Sequence, residues 1–208
     1  MHDLIILVAD RNTLFAVKGI LASPQKLGTR AIDAPEPVVH PKRDPGVFGT
    51  CHSFLREFQE HARFALVICD REGCGREGRT REQLEADIEG RLTANGWAGR
   101  SAAVVIDPEL EAWVWSDSPH VLTALGWKQD RPALLGWLEE REFSESGSAK
   151  PSKPKEAVEG LLRLAGKPRS SALYFDLAQK VSFQRCSDAA FSKLTNVLRG
   201  WFPLQERG

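Results

Sequence analysis

The 208-residue chain has no apolar run approaching the length of a membrane-spanning helix, so no membrane partner is expected. Its start, Met1-His2-Asp3, lacks the basic stretch and small-residue cleavage site of a secretory signal. A cytoplasmic location is the expectation. No Cys-x-x-Cys pair occurs, and Cys51, Cys69, Cys74 and Cys186 show no zinc spacing with one another or with histidine, which points to reduced thiols. Neither charge sign is in excess: 28 Lys and Arg face 28 Asp and Glu. That balance argues against a basic protein coating nucleic acid but leaves room for a local patch. Internal repeats and heptad runs are also missing. What remains, at 42% hydrophobic residues and a mean hydropathy of −0.31, is the composition of a soluble globular domain.

The apolar residues that are present fall into short unbroken runs. Leu4–Ala9, Phe64–Cys69 and Ala102–Ile106 read as strands buried on both faces, with a short strand also expected over Arg30–Ile32. Helices are expected over Leu14–Leu21, Cys51–His61, Thr80–Ala94 and from Asp107 to Trp115, the last with Asp107 as N-cap and Pro108 in the first position. The Pro- and Gly-rich stretch from Ala34 to Gly49 reads as a loop. This β-α alternation implies an α/β fold with a mostly parallel sheet flanked by helices. Beyond Trp115 only helices are expected, over Leu134–Glu142, Lys155–Leu164, Ala172–Lys180 and Asp188–Trp201, with a linker over Phe143–Pro154.

Acidic residues stand at three strand exits: Asp10, then Asp70 and Glu72, then Asp107, Glu109 and Glu111. In a parallel sheet these exits share one edge, where ligands bind. Asp70-Arg71-Glu72-Gly73 is the most telling, because an Asp-x-Glu pair after a fully apolar strand suits one hard cation. Turn formation and helix capping account equally well for Asp10 and Asp107. Arg71, Arg76 and Arg79 crowd the following loop, with Arg81 beyond them. Together with Lys42 and Arg43 they are candidates to contact nucleic-acid phosphates, and a solvated loop is the alternative. The tryptophans are expected in the core, and His40 is the histidine placed closest to a site. Gly73-x-Gly75-x-x-Gly78 formally fits a dinucleotide fingerprint, although two acids precede it.

Asp10 in Val8-Ala9-Asp10-Arg11 and the Asp70-Arg71-Glu72 pair resemble the Toprim-like arrangement. There, one acid follows the first strand and an Asp-x-Asp pair follows a later one, and together they bind Mg²⁺. More narrowly, three segments are similar to small bacterial Toprim-related proteins encoded beside ATPase and defence genes. They are Glu109-Leu110-Glu111-Ala112-Trp113, Lys153-Pro154-Lys155-Glu156-Ala157 and Cys186-Ser187-Asp188-Ala189-Ala190-Phe191. The family's first acid is usually Glu, where this chain has Asp10. The resemblance implies a Toprim-like core over 1–117 and an all-helical extension over 118–208 packed on it. It also implies Mg²⁺ or Mn²⁺ as cofactor, with Asp10, Asp70 and Glu72 as catalytic residues and Glu109 and Glu111 as further ligands. The implied function is a nuclease of an anti-phage defence system. The alternative is a catalytically inactive subunit that binds other defence proteins.

Overall fold

The computed structural model describes residues 1–116, 118–148 and 150–204. Strands β1 (His2–Val8), β2 (Val38–Val39), β3 (Ala62–Asp70) and β4 (Ser101–Ile106) form one sheet in the order β2-β1-β3-β4, every pairing parallel. The long strands are continuous aliphatic runs because both their faces are covered. Alternate side chains enter opposite cores. Leu4, Ile6, Val8, Leu66, Ile68, Val104 and Ile106 face one core. Ile5, Leu7, Ala65, Val67, Cys69, Ala103 and Val105 face the other.

The helices are α1 (Arg11–Leu21), α2 (Pro24–Leu27), α3 (Arg43–Phe54), α4 (Arg81–Leu92), α5 (Glu111–Val114), α6 (Pro119–Leu125), α7 (Arg131–Glu140), α8 (Pro154–Leu164), α9 (Ser171–Lys180) and α10 (Ala189–Trp201). Helices α3 and α4 cover the second core through Val47, Cys51, Leu84 and Ile88. The first core is covered by α1 and by the helices that follow β4, through residues such as Val17, Val158, Leu177 and Leu194. The expected boundary at residue 117 and the final residues 205–208 lie outside the described residues, and the helices beyond 117 share the first core with the strands. Among the described residues no helix is long and apolar enough to cross a membrane.

Several local expectations are corrected. Arg30–Ile32 is not a strand; the sheet edge is taken by Val38–Val39, which pair with Leu7 and Val8. The stretch expected to be loop up to Gly49 turns helical at Arg43. Pro45 sits in the first turn of α3, where its missing N–H is no loss. Gly46 follows it because a Cβ there would fall 2.2 Å from Nδ1 of the buried His40. The helix expected to reach His61 gives way to a 3-10 turn at Leu55–Phe58. The one expected from Asp107 starts at Glu111, and Asp107 pairs with Arg71 instead of capping it. Helix α6 was not anticipated, although Pro119 at its start and the left-handed Gly126 at its end are fitting signals. Cys186 follows a 3-10 turn and lies outside α10.

Strand β4 ends the sheet, yet its outward N–H groups are not bare. Ala103 donates to Glu89 Oε1 and Val105 to Glu85 Oε1, both at 3.0 Å. Lys193 of α10 joins the two carboxylates at 3.1 and 2.7 Å, and Arg81 adds a 2.8 Å bond to Glu85. Side chains of α4 thus occupy the positions a fifth strand would use. Glu85→Ala removes the acceptor of a buried N–H and the partner of two cations. It is expected to cost about 2–3 kcal/mol in urea unfolding, and a loss under about 0.5 kcal/mol would show that the edge is held otherwise.

Candidate functional site

The carboxyl edge of the sheet gathers Asp10, Asp70, Glu109 and Glu111, as the strand order requires, and adds Asp44. Asp70 is the last residue of β3 and pairs in register with Ile106. Strand alternation puts its side chain on the face of Leu66 and Ile68. Its main-chain N–H donates to Asp44 Oδ1 at 2.8 Å. Its own Oδ1 is buried and has no hydrogen-bond partner. Burial drives the Asp70 carboxyl well above the ordinary aspartate range; Asp44, Glu111 and Asp10 push it further, against one backbone bond from Leu110.

Asp44 belongs to the first turn of α3 and reaches the edge from the opposite core. Burial raises its carboxyl too; the Asp70 and Asp44 N–H groups oppose the rise, Asp10 adds to it and Lys155 lowers it. Asp10 caps α1, its Oδ1 accepting from the Thr13 N–H and Oγ–H, each at 2.8 Å. Here capping and site geometry coincide: the cap holds the carboxylate at the strand exit.

Glu109 and Glu111 are buried but not free. Glu109 accepts from the Lys155 backbone N–H at 3.2 Å and its ammonium at 3.1 Å. Burial raises the Glu109 carboxyl, and the Lys155 bond works against it. Glu111 accepts from Arg169 at 3.0 Å and from the Tyr174 hydroxyl at 2.5 Å. Burial and Glu111 together push the Tyr174 hydroxyl far up, so it stays a proton donor. Lys155, Arg169 and Tyr174 all come from the helical extension, which neutralises this side of the edge.

The remaining sequence candidates are dispersed. Glu72 is exposed in the turn after β3; its N–H donates to the Pro108 carbonyl, and its charge acts on Glu109, so the turn rather than strand alternation sets its place beside the buried Asp70. Arg71 pairs with Asp107 at 2.7 Å, Arg79 with Asp87, and Arg76 with the Gly75 carbonyl. Lys42 and Arg43 are exposed at the start of α3, beside Asp44. Arg43 also lines a cleft of about 600 Å³ with Asp10, Arg11 and His40. His40 is a loop staple: its Nδ1 accepts from Lys42 N–H at 3.1 Å, and Nε2 lies 3.0 Å from Thr50 Oγ. Sequence reading missed Asp44, whose signal was its position at the start of an apolar helix, hidden by Pro45 and Gly46.

Among the described residues no group of three or more His, Cys, Asp or Glu is arranged to enclose a metal ion. The donors do fit a less demanding mode. Mg²⁺ is commonly held by one or two carboxylates, with water and substrate phosphate completing the shell. The bare Asp70 Oδ1, in a field of three other carboxylates, suits that mode. Glu109 and Glu111 do not, because Lys155, Arg169 and Tyr174 already hold them.

The raised Asp70 carboxyl has a signed consequence. The native state keeps a proton that the unfolded chain releases near pH 3.9. Stability from this group is complete below that pH and is lost as pH rises through the native value. Asp70→Asn stays neutral. In thermal unfolding with chelator it should exceed the parent by about 0.5–2 kcal/mol at neutral pH and match it at acid pH. Equal stability at neutral pH would mean that the carboxylate is not confined. Comparison of the chain with protein-family models, curated proteins and solved structures finds no match.

Proposed function

We propose that this protein binds Mg²⁺ or Mn²⁺ at Asp70, with Asp44 and Asp10 beside it, and hydrolyses phosphodiester bonds of nucleic acid. The carrying observation is the buried, partnerless Asp70 Oδ1 at the carboxyl edge of a parallel sheet, in a field of carboxylates of which Asp44 and Asp10 have no ion pair among the described residues. A hard cation relieves that repulsion with oxygen ligands. When bound, it supplies polarisation of a phosphoryl oxygen and a more acidic water. Asp70 and Asp44 would hold it. Asp10, with one oxygen given to Thr13, positions water or takes its proton. Lys42 and Arg43 flank the site from the exposed side and orient the phosphate backbone; Arg71, Arg76 and Arg79 lie on the loop that follows β3. The resemblance to Toprim-related proteins adds the setting of bacterial anti-phage defence, with other defence proteins as partners.

A second reading is favoured by one observation: Glu109 and Glu111, which a fuller metal site would use, are locked to Lys155, Arg169 and Tyr174. In that reading the edge is a rigid, catalytically silent surface within a defence complex.

Mn²⁺ binding followed by electron paramagnetic resonance separates the two. The parent should bind, and Asp70→Asn and Asp44→Asn should each weaken binding about tenfold or more. With Mn²⁺ or Mg²⁺ the parent should cleave DNA or RNA, and Asp70→Asn should not. Binding without cleavage supports the silent reading, and a parent that binds no Mn²⁺ overturns the metal site altogether.

A further inference from the structure

The Gly73–Gly78 loop has an anion site already filled from within. Gly73 and Gly75 adopt left-handed conformations, φ 81° and 78°. Such glycines can turn backbone N–H groups toward one point, a geometry that captures anions, although the Cys74 N–H between them is spent on the Arg71 carbonyl at 3.3 Å. Here the captured anion is the carboxylate of Glu77. It accepts from the Gly75 N–H at 3.0 Å. Its own N–H, Gly75 and, more weakly, Gly73 hold the carboxyl below the usual glutamate range. Among the described residues no cation lies within ion-pair distance of Glu77. Its hydrogen bonds come from the backbone, and the charge of Arg71 adds a weaker pull in the same direction.

The surroundings suit phosphate. Glu77 and Gly78 of the loop line a cleft of about 480 Å³, walled also by Arg71, Arg79 and Arg81 and by the first residues of α4 and α10. Both helices exceed eleven residues, and their amino ends bring positive dipole ends to the same space. The other acids in the cleft are engaged. Asp107 holds Arg71, Glu82 holds Arg81, and Asp188 caps α10 while accepting from Trp113 Nε1. Arg71 also donates to the Glu77 carbonyl at 2.9 Å, fixing the loop against the sheet. Cys74, between the two left-handed glycines, is buried in the second core and feels both Glu77 and Asp44. The cradle therefore lies next to the acidic edge.

We infer that this loop is a phosphate cradle held shut by the Glu77 carboxylate, which a backbone phosphate of a nucleic acid strand displaces. The exchange swaps one singly charged oxyanion for another on the same N–H groups, and the freed Glu77 side chain returns to solvent on an exposed loop. The inference deepens the phosphodiester reading by naming where the strand is gripped. It needs no metal, so the two stand or fall separately.

The test uses the full chain in chelator at low ionic strength. Inorganic phosphate and a nucleoside 5′-monophosphate are titrated by phosphorus NMR, and a labelled single-stranded oligonucleotide by fluorescence anisotropy. Removing an internal competitor that fills the site about nine-tenths of the time raises apparent affinity about tenfold. Glu77→Ala should show that gain for phosphate and the oligonucleotide. Adding Gly75→Ala should abolish it, since φ 78° is strained for alanine while the space around Gly75 is open. An unchanged affinity in Glu77→Ala overturns the cradle. A gain that survives Gly75→Ala is a plain charge effect and overturns it too. A gain confined to the 5′-monophosphate overturns the nucleic acid strand as the ligand.

Discussion

A parallel sheet with aliphatic side chains on both faces must be covered on both, and most of this structure follows from that constraint. On one face, α3 and α4 suffice. On the other, α1 leaves most of the strand surface open, and the helices after β4 close it. Their approach is tight. A Cβ on Gly19 of α1 would lie 2.7 Å from the Phe175 carbonyl of α9. The glycine lets the two helices meet, and α9 brings Tyr174 with it. The helical extension is therefore part of the site as well as of the core.

That docking decides the electrostatics of the carboxyl edge. Strand order delivers carboxylates from β1, β3 and the segment after β4 to one place. Left alone, they would repel one another in a half-buried setting. The extension neutralises one side with Lys155 and Arg169 and leaves the other side, around Asp70 and Asp44, without a direct ion pair among the described residues. The contrast gives the edge a direction: a salt-bridged wall faces a carboxylate with a bare oxygen. The same principle recurs at the Gly73–Gly78 loop, where backbone dipoles replace side-chain cations.

Much of the framework was legible beforehand. The runs Leu4–Ala9, Phe64–Cys69 and Ala102–Ile106 are strands because nothing but burial on two faces explains unbroken aliphatic sequence. The Thr80 and Gln83 pair marks α4 through a capping box. What was illegible had a common cause. Val38–Val39 is a strand only because β1 offers it an edge. Residues 43–49 are helical because His40 and the second core hold them, overriding Pro and Gly. Glu72 looked like the partner of Asp70 by alternation, but the strand ends at Asp70 and the turn carries Glu72 outward.

From its own residues the chain determines where strands and long helices lie, and that acids fall at strand exits, because burial and capping act within a few neighbours. Tertiary structure alone decided which acids share a charge field, through contacts that join distant segments. Asp44 reaches Asp70 across 26 residues, and Tyr174 reaches Glu111 across 63. Such separations carry no local signal, and electrostatic coupling depends on distance in space rather than along the chain. The acidic exit after β3 is thus a sequence feature, while its bare oxygen and its partner Asp44 are products of the fold.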